Sequence, residues 1–141
     1  MLDRLRGLGL APEPISPIRL LQLSNIQHLW TPIYANLTIN IHPLQIVERL
    51  HPTPAVAGSP QSIAYREIRR HEQFDRLLFA APIGWFDAEG NASFLVGIRS
   101  ALLDGCRARL YAGAGIVAGS QPDRELAEIE LKLRTTINSL I

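Results

Sequence analysis

Two glutamates and a lysine near the end of the chain are spaced so that they could act together. Glu125, Glu128 and Lys132 follow one another at intervals of three and four residues, so an α-helix would place them side by side. They could form an ordinary solvated face, in which one Glu–Lys pair contributes roughly 0.2–0.5 kcal/mol. They could also bind Mg²⁺, because this ion takes oxygen ligands from one or two carboxylates and completes its shell with water and substrate. The lysine would then hold an anionic substrate beside the metal.

An arginine and a glycine-rich stretch could bind a carboxylate. Arg99 lies in an apolar segment, residues 94–103, that is typical of a strand. Its side chain either extends to solvent from the strand edge or clamps a carboxylate through two parallel hydrogen bonds. Gly97, on the same strand face, would leave room for such a ligand. The stretch between Gly113 and Gly115 is either a simple turn or a set of backbone N–H groups for an anion.

The histidines and the single cysteine give weaker signals. The four histidines, at positions 28, 42, 51 and 71, lack the spacing of a metal site. His51 stands out because a proline-rich loop could direct it into a cleft, although a histidine that packs or caps is the commoner case. Cys106 has no partner for an internal disulfide, which is typical of a reducing compartment, and we therefore predict a cytoplasmic protein.

The composition predicts neither nucleic acid nor a membrane as a partner. Fourteen lysines and arginines are balanced by thirteen aspartates and glutamates, so the net charge of +1 creates no strong field for a polyanion. The longest apolar stretch, residues 77–86, contains Pro82 and Gly84 and is half the length of about twenty residues that a membrane-spanning helix needs. A chain of 141 residues is long enough for one domain with a core.

The elements that must position these residues alternate between strand and helix patterns. Strands are predicted for residues 18–23 and 26–37, and a helix for residues 43–50. The prolines that follow cannot continue this helix. Ser59 could cap a further helix over residues 60–72.

The second half of the sequence predicts a meander followed by a helix. Three antiparallel strands are expected at residues 77–86, 93–103 and 106–112, because apolar runs alternate with turn residues. The final helix should begin near Pro122. Its core-facing stripe should consist of five apolar residues, Leu126, Ile129, Leu133, Ile137 and Leu140. The predicted fold class is therefore α+β, an antiparallel sheet with packed helices.

The first ten residues are typical of the end of a helix. Leu2, Leu5 and Leu8 fall on one face, and Gly9 would stop the helix. A helix that begins at Met1 without a preceding cap leads us to expect that the sequence starts inside a larger fold.

Four motifs and a final Glu–Lys pair resemble, in order, the signatures of the chorismate-utilising enzymes. They are residues 51–58 (His-Pro-Thr-Pro-Ala-Val-Ala-Gly), 82–85 (Pro-Ile-Gly-Trp), 98–101 (Ile-Arg-Ser-Ala), 111–117 (Tyr-Ala-Gly-Ala-Gly-Ile-Val), and Glu128 with Lys132. Residues 25–29 (Asn-Ile-Gln-His-Leu) also fit the family. The form of the first motif is similar to the isochorismate synthase branch.

This resemblance implies an isomerase that uses Mg²⁺ to add water at one ring carbon of chorismate while a hydroxyl leaves another. Glu128 matches a metal ligand and Glu125 a second acidic position that reaches the metal directly or through water. Lys132 matches a lysine near the substrate. Arg99 matches the arginine that binds a substrate carboxylate, and Gly113 the backbone amide that assists it. His51 is the remaining candidate for substrate contact.

Two positions depart from the family pattern. Phe79 stands where some relatives have a tyrosine whose hydroxyl assists the arginine, which in principle weakens carboxylate binding. Ile129 follows Glu128 where threonine is common, which we interpret as a change in packing. Neither departure changes the assignment to the family.

The resemblance also implies that essential groups lie outside this sequence. The family's general-base lysine, its general-acid glutamate and a further metal-binding glutamate are expected upstream, and residues 1–50 contain no lysine. We therefore assign no catalytic acid or base here and expect residues 1–141 to be the C-terminal part of a chorismate-binding domain, with little or no activity alone. Its candidate partner is the N-terminal part of the same enzyme.

Three functions remain open at this stage. The first is a segment of an isochorismate synthase that serves menaquinone, phylloquinone or siderophore supply. The second is a non-catalytic remnant or chorismate-binding domain. The third is a segment of another chorismate enzyme, such as a salicylate synthase.

Overall fold

The computed structural model describes residues 1–22, 27–37 and 40–140, and every strand pair in that part of the chain is antiparallel. The combination of helices with antiparallel strands confirms the α+β class. In chain order the elements are α1 (Leu2–Arg6), β1 (Glu13–Pro14), β2 (Arg19–Gln22), β3 (Gln27–Trp30), β4 (Ile33–Tyr34), α2 (Pro43–Leu50), α3 (Pro54–Ala57), α4 (Gln61–His71), β5 (Pro82–Phe86), β6 (Ala92–Val96), β7 (Ser100–Asp104), β8 (Arg107–Tyr111) and α5 (Pro122–Asn138).

The chain divides into two compact units. The first contains residues 1–50 and 88–91, and the second contains residues 51–87 and 92–141. No helix in the described ranges combines the length and the apolar character needed to cross a membrane.

In the first unit, the predicted stop at Gly9 is confirmed. Gly9 has a φ of 79° and donates its N–H to Arg6 O, while Leu10 donates to Leu5 O. These two bonds form a Schellman motif, and both leucines are buried, as the accompanying apolar contact of this motif requires. Arg4 then ties this segment to α2, because its Nη1 donates to Leu50 O at 2.9 Å. Helix α2 has the predicted bounds.

The strands of the first unit are shorter than predicted. Strand β2 pairs with β3, with Leu20 opposite Leu29. The strand expected over residues 26–37 is instead divided into β3 and β4, because Pro32 has no N–H to donate to a ladder. Strand β4 pairs with β1. Residues 23–26, which include one end of each predicted strand and part of the motif at 25–29, lie outside the described residues.

The helices of the second unit differ from prediction at their starts. The proline-rich loop contains a single helical turn, α3, because Pro54 stands at the first helical position, where its missing N–H is not needed. Helix α4 begins at Gln61 after Pro60, so the expected cap by Ser59 is wrong because Ser59 lies one residue too early. Gly58 separates the two helices. Its φ is 73°, and a Cβ there would lie 2.5 Å from the Ala64 side chain, so this position requires glycine.

The predicted three-stranded meander is wrong, since the second unit contains two separate hairpins. Strand β5 pairs with β6 and β7 with β8. The long strand expected over residues 93–103 is broken because Arg99 has a φ of 51°, which an extended strand does not allow. The first strand starts at Pro82 rather than at residue 77, since Leu77 and Ala80 also have positive φ values, of 49° and 64°. Gly97 still connects the segment before β5 to the end of β6. Its N–H donates to Ala81 O, and its C=O accepts from the Ala80 N–H.

The covered face of helix α5 is rotated from the predicted one and overlaps it at Ile129 and Leu133, which are half-buried. Its main contacts within the second unit are with β8, and its buried residue is Thr136. Lys132, one turn earlier, is largely covered, whereas Leu126 and Ile137 of the predicted stripe are exposed. The predicted stripe is therefore wrong in part, because the covered face is the one that carries the candidate lysine.

Candidate functional site

Lys132 connects the two groups of residues that sequence analysis placed on different elements. Its Nζ donates to Glu128 Oε1 at 2.5 Å, one turn earlier in α5, and to Gly113 O at 2.8 Å, two residues beyond β8. The lysine side chain is only 15% exposed, so these contacts replace most of its hydration. We call Glu128, Lys132 and Gly113 the lysine bridge. The bridge uses the carbonyl of Gly113, whereas the predicted substrate contact concerns its N–H.

The two candidate metal ligands lie on adjacent turns of α5. Glu125 is in the first turn and is half-buried, and Glu128 is more exposed. The partial positive charge at a helix N-terminus favours carboxylates there. Within the described ranges, no three His, Cys, Asp or Glu side chains form a group that could hold a metal ion. The two carboxylates of Glu125 and Glu128 fit Mg²⁺, because this ion commonly binds one or two protein carboxylates and completes its coordination shell with water and substrate oxygens.

Arg99 and Gly113 lie at the same end of the β7–β8 hairpin. The terminal pair of that hairpin is Ser100 opposite Tyr111. Arg99 immediately precedes this pair, and Gly113 follows it by two residues. Arg99 is half-buried, and its φ of 51° is rare for a residue with a side chain. Such strain persists where the surrounding structure enforces it, and it is enriched at functional sites.

Two aromatic rings pack beside Gly113. Phe79 stacks on Tyr111 with ring centroids 5.5 Å apart and planes inclined by 15°. The Phe79 Cζ would lie 3.8 Å from a Cβ added to Gly113, so Phe79 is next to this glycine. The Tyr111 hydroxyl is buried, and none of the described residues forms a hydrogen bond with it. Tyr111 was not among the predicted site residues, although it opens the motif that contains Gly113.

Among the described residues, His51 does not share a cavity lining with the lysine bridge. It lines a cavity of about 690 Å³ whose walls also include Glu72, Arg76 and Phe79. Within the part of the chain that the structure describes, the walls do not include the other candidate site residues, which are Arg99, Gly113, Glu125, Glu128 and Lys132. Burial lowers the pKa of His51 below its usual 6.5, because the low-dielectric surroundings disfavour the charged imidazolium.

This lowered pKa predicts a stability that falls with acidity. The unfolded chain binds a proton at His51 near pH 6.5, while the folded chain resists binding it, so protonation favours the unfolded state. We expect the melting temperature of the wild type, relative to His51→Gln, to fall as pH decreases from 7.5 to well below 6.5, since most of the loss lies below 6.5. Calorimetry of both proteins over this range measures the difference. A difference that stays constant with pH would contradict the prediction.

An arginine that sequence analysis missed ties the cavity wall together. The Arg76 guanidinium binds both carboxylate oxygens of Glu72, at 2.5 and 2.7 Å, and donates to Val56 O at 3.1 Å. It also lies 5.8 Å from the centroid of the Phe79 ring. The hydrogen bonds to Glu72 raise the pKa of Arg76, so it stays charged. The signal available in the sequence was the four-residue spacing of Glu72 and Arg76, which follow the end of α4.

Removing this arginine should destabilise the chain. Both side chains of the Arg76–Glu72 pair are 28% exposed, so Arg76→Met would leave a partly buried carboxylate and a backbone carbonyl without their donor. We expect a loss of about 2 kcal/mol in the free energy of unfolding by urea. Arg66→Met is the matched control, because its ion pair with Glu67 is exposed and should contribute less than about 0.5 kcal/mol. Equal losses in the two variants would refute this role for Arg76.

The chain is similar in sequence to known chorismate-binding enzymes. A family model described as chorismate binding enzyme matches residues 1–141. The chain is 44% identical over 128 residues to isochorismate synthase MenF of Bacillus subtilis, covering 91% of this chain and 27% of that protein. It is 51% identical over 112 residues to the salicylate biosynthesis isochorismate synthase of Pseudomonas aeruginosa, and this match covers 79% of this chain and 24% of that protein.

A solved structure also matches nearly the whole of this chain over part of its own length. The chain matches, with a TM-score of 0.91 and 35% identity, a Bacillus anthracis protein assigned as a 2,3-dihydroxybenzoate-specific isochorismate synthase, DhbC. The match covers 98% of this chain and 37% of that one. The chain thus spans about a quarter of the length of the two curated relatives and about a third of the crystallised protein.

Proposed function

The chain belongs to the family of chorismate-binding enzymes, and from this premise we propose that it provides part of an isochorismate synthase active site. The reaction would convert chorismate to isochorismate with Mg²⁺. In this proposal the chain contributes the groups that bind a substrate carboxylate and one side of the metal site. The relatives named above as isochorismate synthases support this choice of reaction within the family.

The observation that carries the proposal is the lysine bridge. Lys132 holds the carboxylate of Glu128 and the segment of Gly113 against each other through two hydrogen bonds. In this proposal the metal held by Glu128 and the backbone N–H of Gly113 would contact the same substrate molecule. The distance between α5 and the end of β8 must therefore be fixed. A lysine on an ordinary solvated face would not be 15% exposed, nor would it reach a backbone carbonyl nineteen residues away in the sequence.

Each candidate residue would have a distinct task. Glu128 and Glu125 would hold Mg²⁺, which when bound supplies positive charge that neutralises and orients the substrate carboxylate. Arg99 would bind a carboxylate of chorismate through two parallel hydrogen bonds, and the Gly113 N–H would add a third donor. Phe79 and Tyr111 would form an apolar wall beside Gly113 that excludes water from these bonds.

The chain is not proposed to perform the proton transfers. Lys132 is the only lysine in the sequence, and its ammonium group already donates to two acceptors. A general base needs an available lone pair within hydrogen-bond reach of the attacking water. We therefore propose that the lysine base and the glutamate acid are not among these 141 residues, and that the 141 residues alone are inactive.

Two assays test the proposal. The purified chain, incubated with chorismate and Mg²⁺, should form no isochorismate. A chimera, in which this chain replaces its matching segment in the B. subtilis MenF protein, should form isochorismate. Turnover by the 141 residues alone would overturn the assignment of the acid and base to residues outside them. A folded chimera that is inactive would overturn the proposed function and favour a binding domain, and one that forms salicylate and pyruvate would favour another chorismate enzyme.

A further inference from the structure

The segment that joins α4 to β5 has a strained backbone. Leu77 and Ala80 have φ values of 49° and 64°, which residues with side chains rarely adopt. Phe79 lies between them, and its N–H donates to Arg76 O at 2.8 Å. We call residues 76–81 the connecting segment. Because strain of this kind persists only where the surrounding structure enforces it, the contacts at the two ends of the connecting segment must hold it in place.

Arg76 fixes the start of the connecting segment to two other parts of the second unit. Its guanidinium binds both carboxylate oxygens of Glu72, which follows α4, and donates to Val56 O in α3. The guanidinium carbon also lies 5.8 Å from the centroid of the Phe79 ring. One arginine can make these contacts at once because its five N–H donors lie in a rigid plane. A lysine would keep the charge but not this geometry.

The end of the connecting segment packs against Gly97, two residues before Arg99. Ala80 donates its N–H to Gly97 O, and the Gly97 N–H donates to Ala81 O, each at 2.8 Å. A Cβ added to Gly97 would lie only 3.2 Å from Ala81 O, so the two backbones are in close contact. The Ser100 hydroxyl donates to the same Gly97 carbonyl at 3.5 Å. The turn that contains Arg99 is therefore closed on a carbonyl that the connecting segment also binds.

Phe79 brings the connecting segment to the other proposed carboxylate donor. Its ring stacks on Tyr111 and stands next to Gly113, whose N–H would bind the substrate. One short segment thus contacts the backbone turn before β7 and the glycine beyond β8. A shift of this segment would displace Arg99 and Gly113 relative to each other, and small displacements of binding groups are costly to an active site.

We propose that Arg76 is a positioning residue for the carboxylate site, and that it acts through the connecting segment rather than by contact with the substrate. This inference rests on the proposed function, since it takes Arg99 and Gly113 as donors to a carboxylate of chorismate. It goes beyond an effect on stability, because it predicts a local change at Gly97. A carboxylate is bound in both the ground state and the transition state, so the kinetic effect should appear in KM rather than in kcat.

Hydrogen exchange in the chimera with MenF tests the structural part of this inference. In Arg76→Lys, the amides of Ala80 and Gly97 should exchange at least about tenfold faster, because their hydrogen bonds depend on the position of the connecting segment. The amides that pair β7 with β8 should keep their exchange rates. Arg66→Lys is the matched control, because Arg66 is an arginine of α4 whose ion pair with Glu67 is exposed, and it should change none of these rates.

Kinetic measurements on the same chimera test the functional part. Arg76→Lys should raise KM for chorismate about tenfold and leave kcat within about threefold of the parent value. When it is combined with Arg99→Lys, the increase in KM should be at least about threefold smaller than the product of the two single increases. The reason is that a displaced Arg99 has less binding left to lose. Arg66→Lys should keep KM within about twofold of the parent value.

The outcomes separate this inference from the proposed function. Unchanged exchange at Ala80 and Gly97, or an acceleration spread equally over β7 and β8, would overturn the inference. Increases in KM that simply multiply in the double variant with Arg99→Lys would overturn it as well. Glu72→Gln weakens the same ion pair from its other side and replaces Arg76→Lys if that variant does not fold. An inactive parent chimera would refute the proposed function, while exchange would still decide whether Arg76 fixes the position of Gly97.

Discussion

Replacing Glu128 with glutamine in the chimera with MenF is expected to lower kcat/KM for chorismate at least about a hundredfold. Even residues that only support a metal ligand contribute about 10- to 100-fold to metal affinity or activity, so a direct ligand should contribute more. Glutamine keeps the size and the hydrogen-bonding ability of the side chain but removes the negative charge that Mg²⁺ needs. Lys132 would retain its bond to Gly113, so the backbone arrangement should survive.

The measurement is isochorismate formation over a range of Mg²⁺ concentrations. Glu128→Gln should need more Mg²⁺ for half-maximal activity, which a purely structural defect would not require. Glu130→Gln is the matched control, because Glu130 is an exposed glutamate on the same helix, on a different face from Glu125 and Glu128. Unchanged Mg²⁺ dependence in Glu128→Gln, or the same loss in both variants, would remove Glu128 from the proposed metal site.

Replacing Arg99 with lysine in the same chimera should raise KM for chorismate about ten- to hundredfold. Lysine keeps the positive charge but cannot form two parallel hydrogen bonds to a carboxylate, and one lost hydrogen bond to a charged group is worth about 1.5–3 kcal/mol. Arginine and lysine must both adopt the same φ of 51° before β7, so the substitution does not change the backbone geometry at this position. The cost of the strained backbone should therefore be similar in the two proteins.

Steady-state kinetics measures KM for chorismate in the parent chimera and in Arg99→Lys. Arg109→Lys serves as the control, since Arg109 is an exposed arginine in β8 with ordinary strand geometry. Its KM should stay within about twofold of the parent chimera. If Arg99→Lys leaves KM unchanged, the side chain does not bind a substrate carboxylate, and its positive φ would need a purely structural explanation.

Much of the local structure could be predicted because it depends on neighbouring residues. Helix α2 and the stop at Gly9 follow from apolar spacing and from glycine, and both have the expected positions. The helix that carries Glu125, Glu128 and Lys132 follows from the same kind of pattern. These residues therefore lie on adjacent turns, as their spacing in the sequence requires.

What could not be predicted depends on backbone angles and on distant contacts. Residues 93–103 have the composition of one strand, and nothing in that composition indicates the positive φ at Arg99 that separates β6 from β7. The bond from Lys132 to Gly113 joins residues nineteen positions apart, and it exists only once α5 packs on β8. The same packing explains the error in the α5 stripe, because periodicity identifies an apolar arc but not the arc that is covered.

Strand edges that have no ladder partner among the described residues also affect how the purified chain behaves in solution. Strands β5 and β6 form a two-stranded sheet there, and edges of such a sheet can bind extended segments of other molecules, which leads to aggregation. The purified chain should therefore aggregate more readily as its concentration rises.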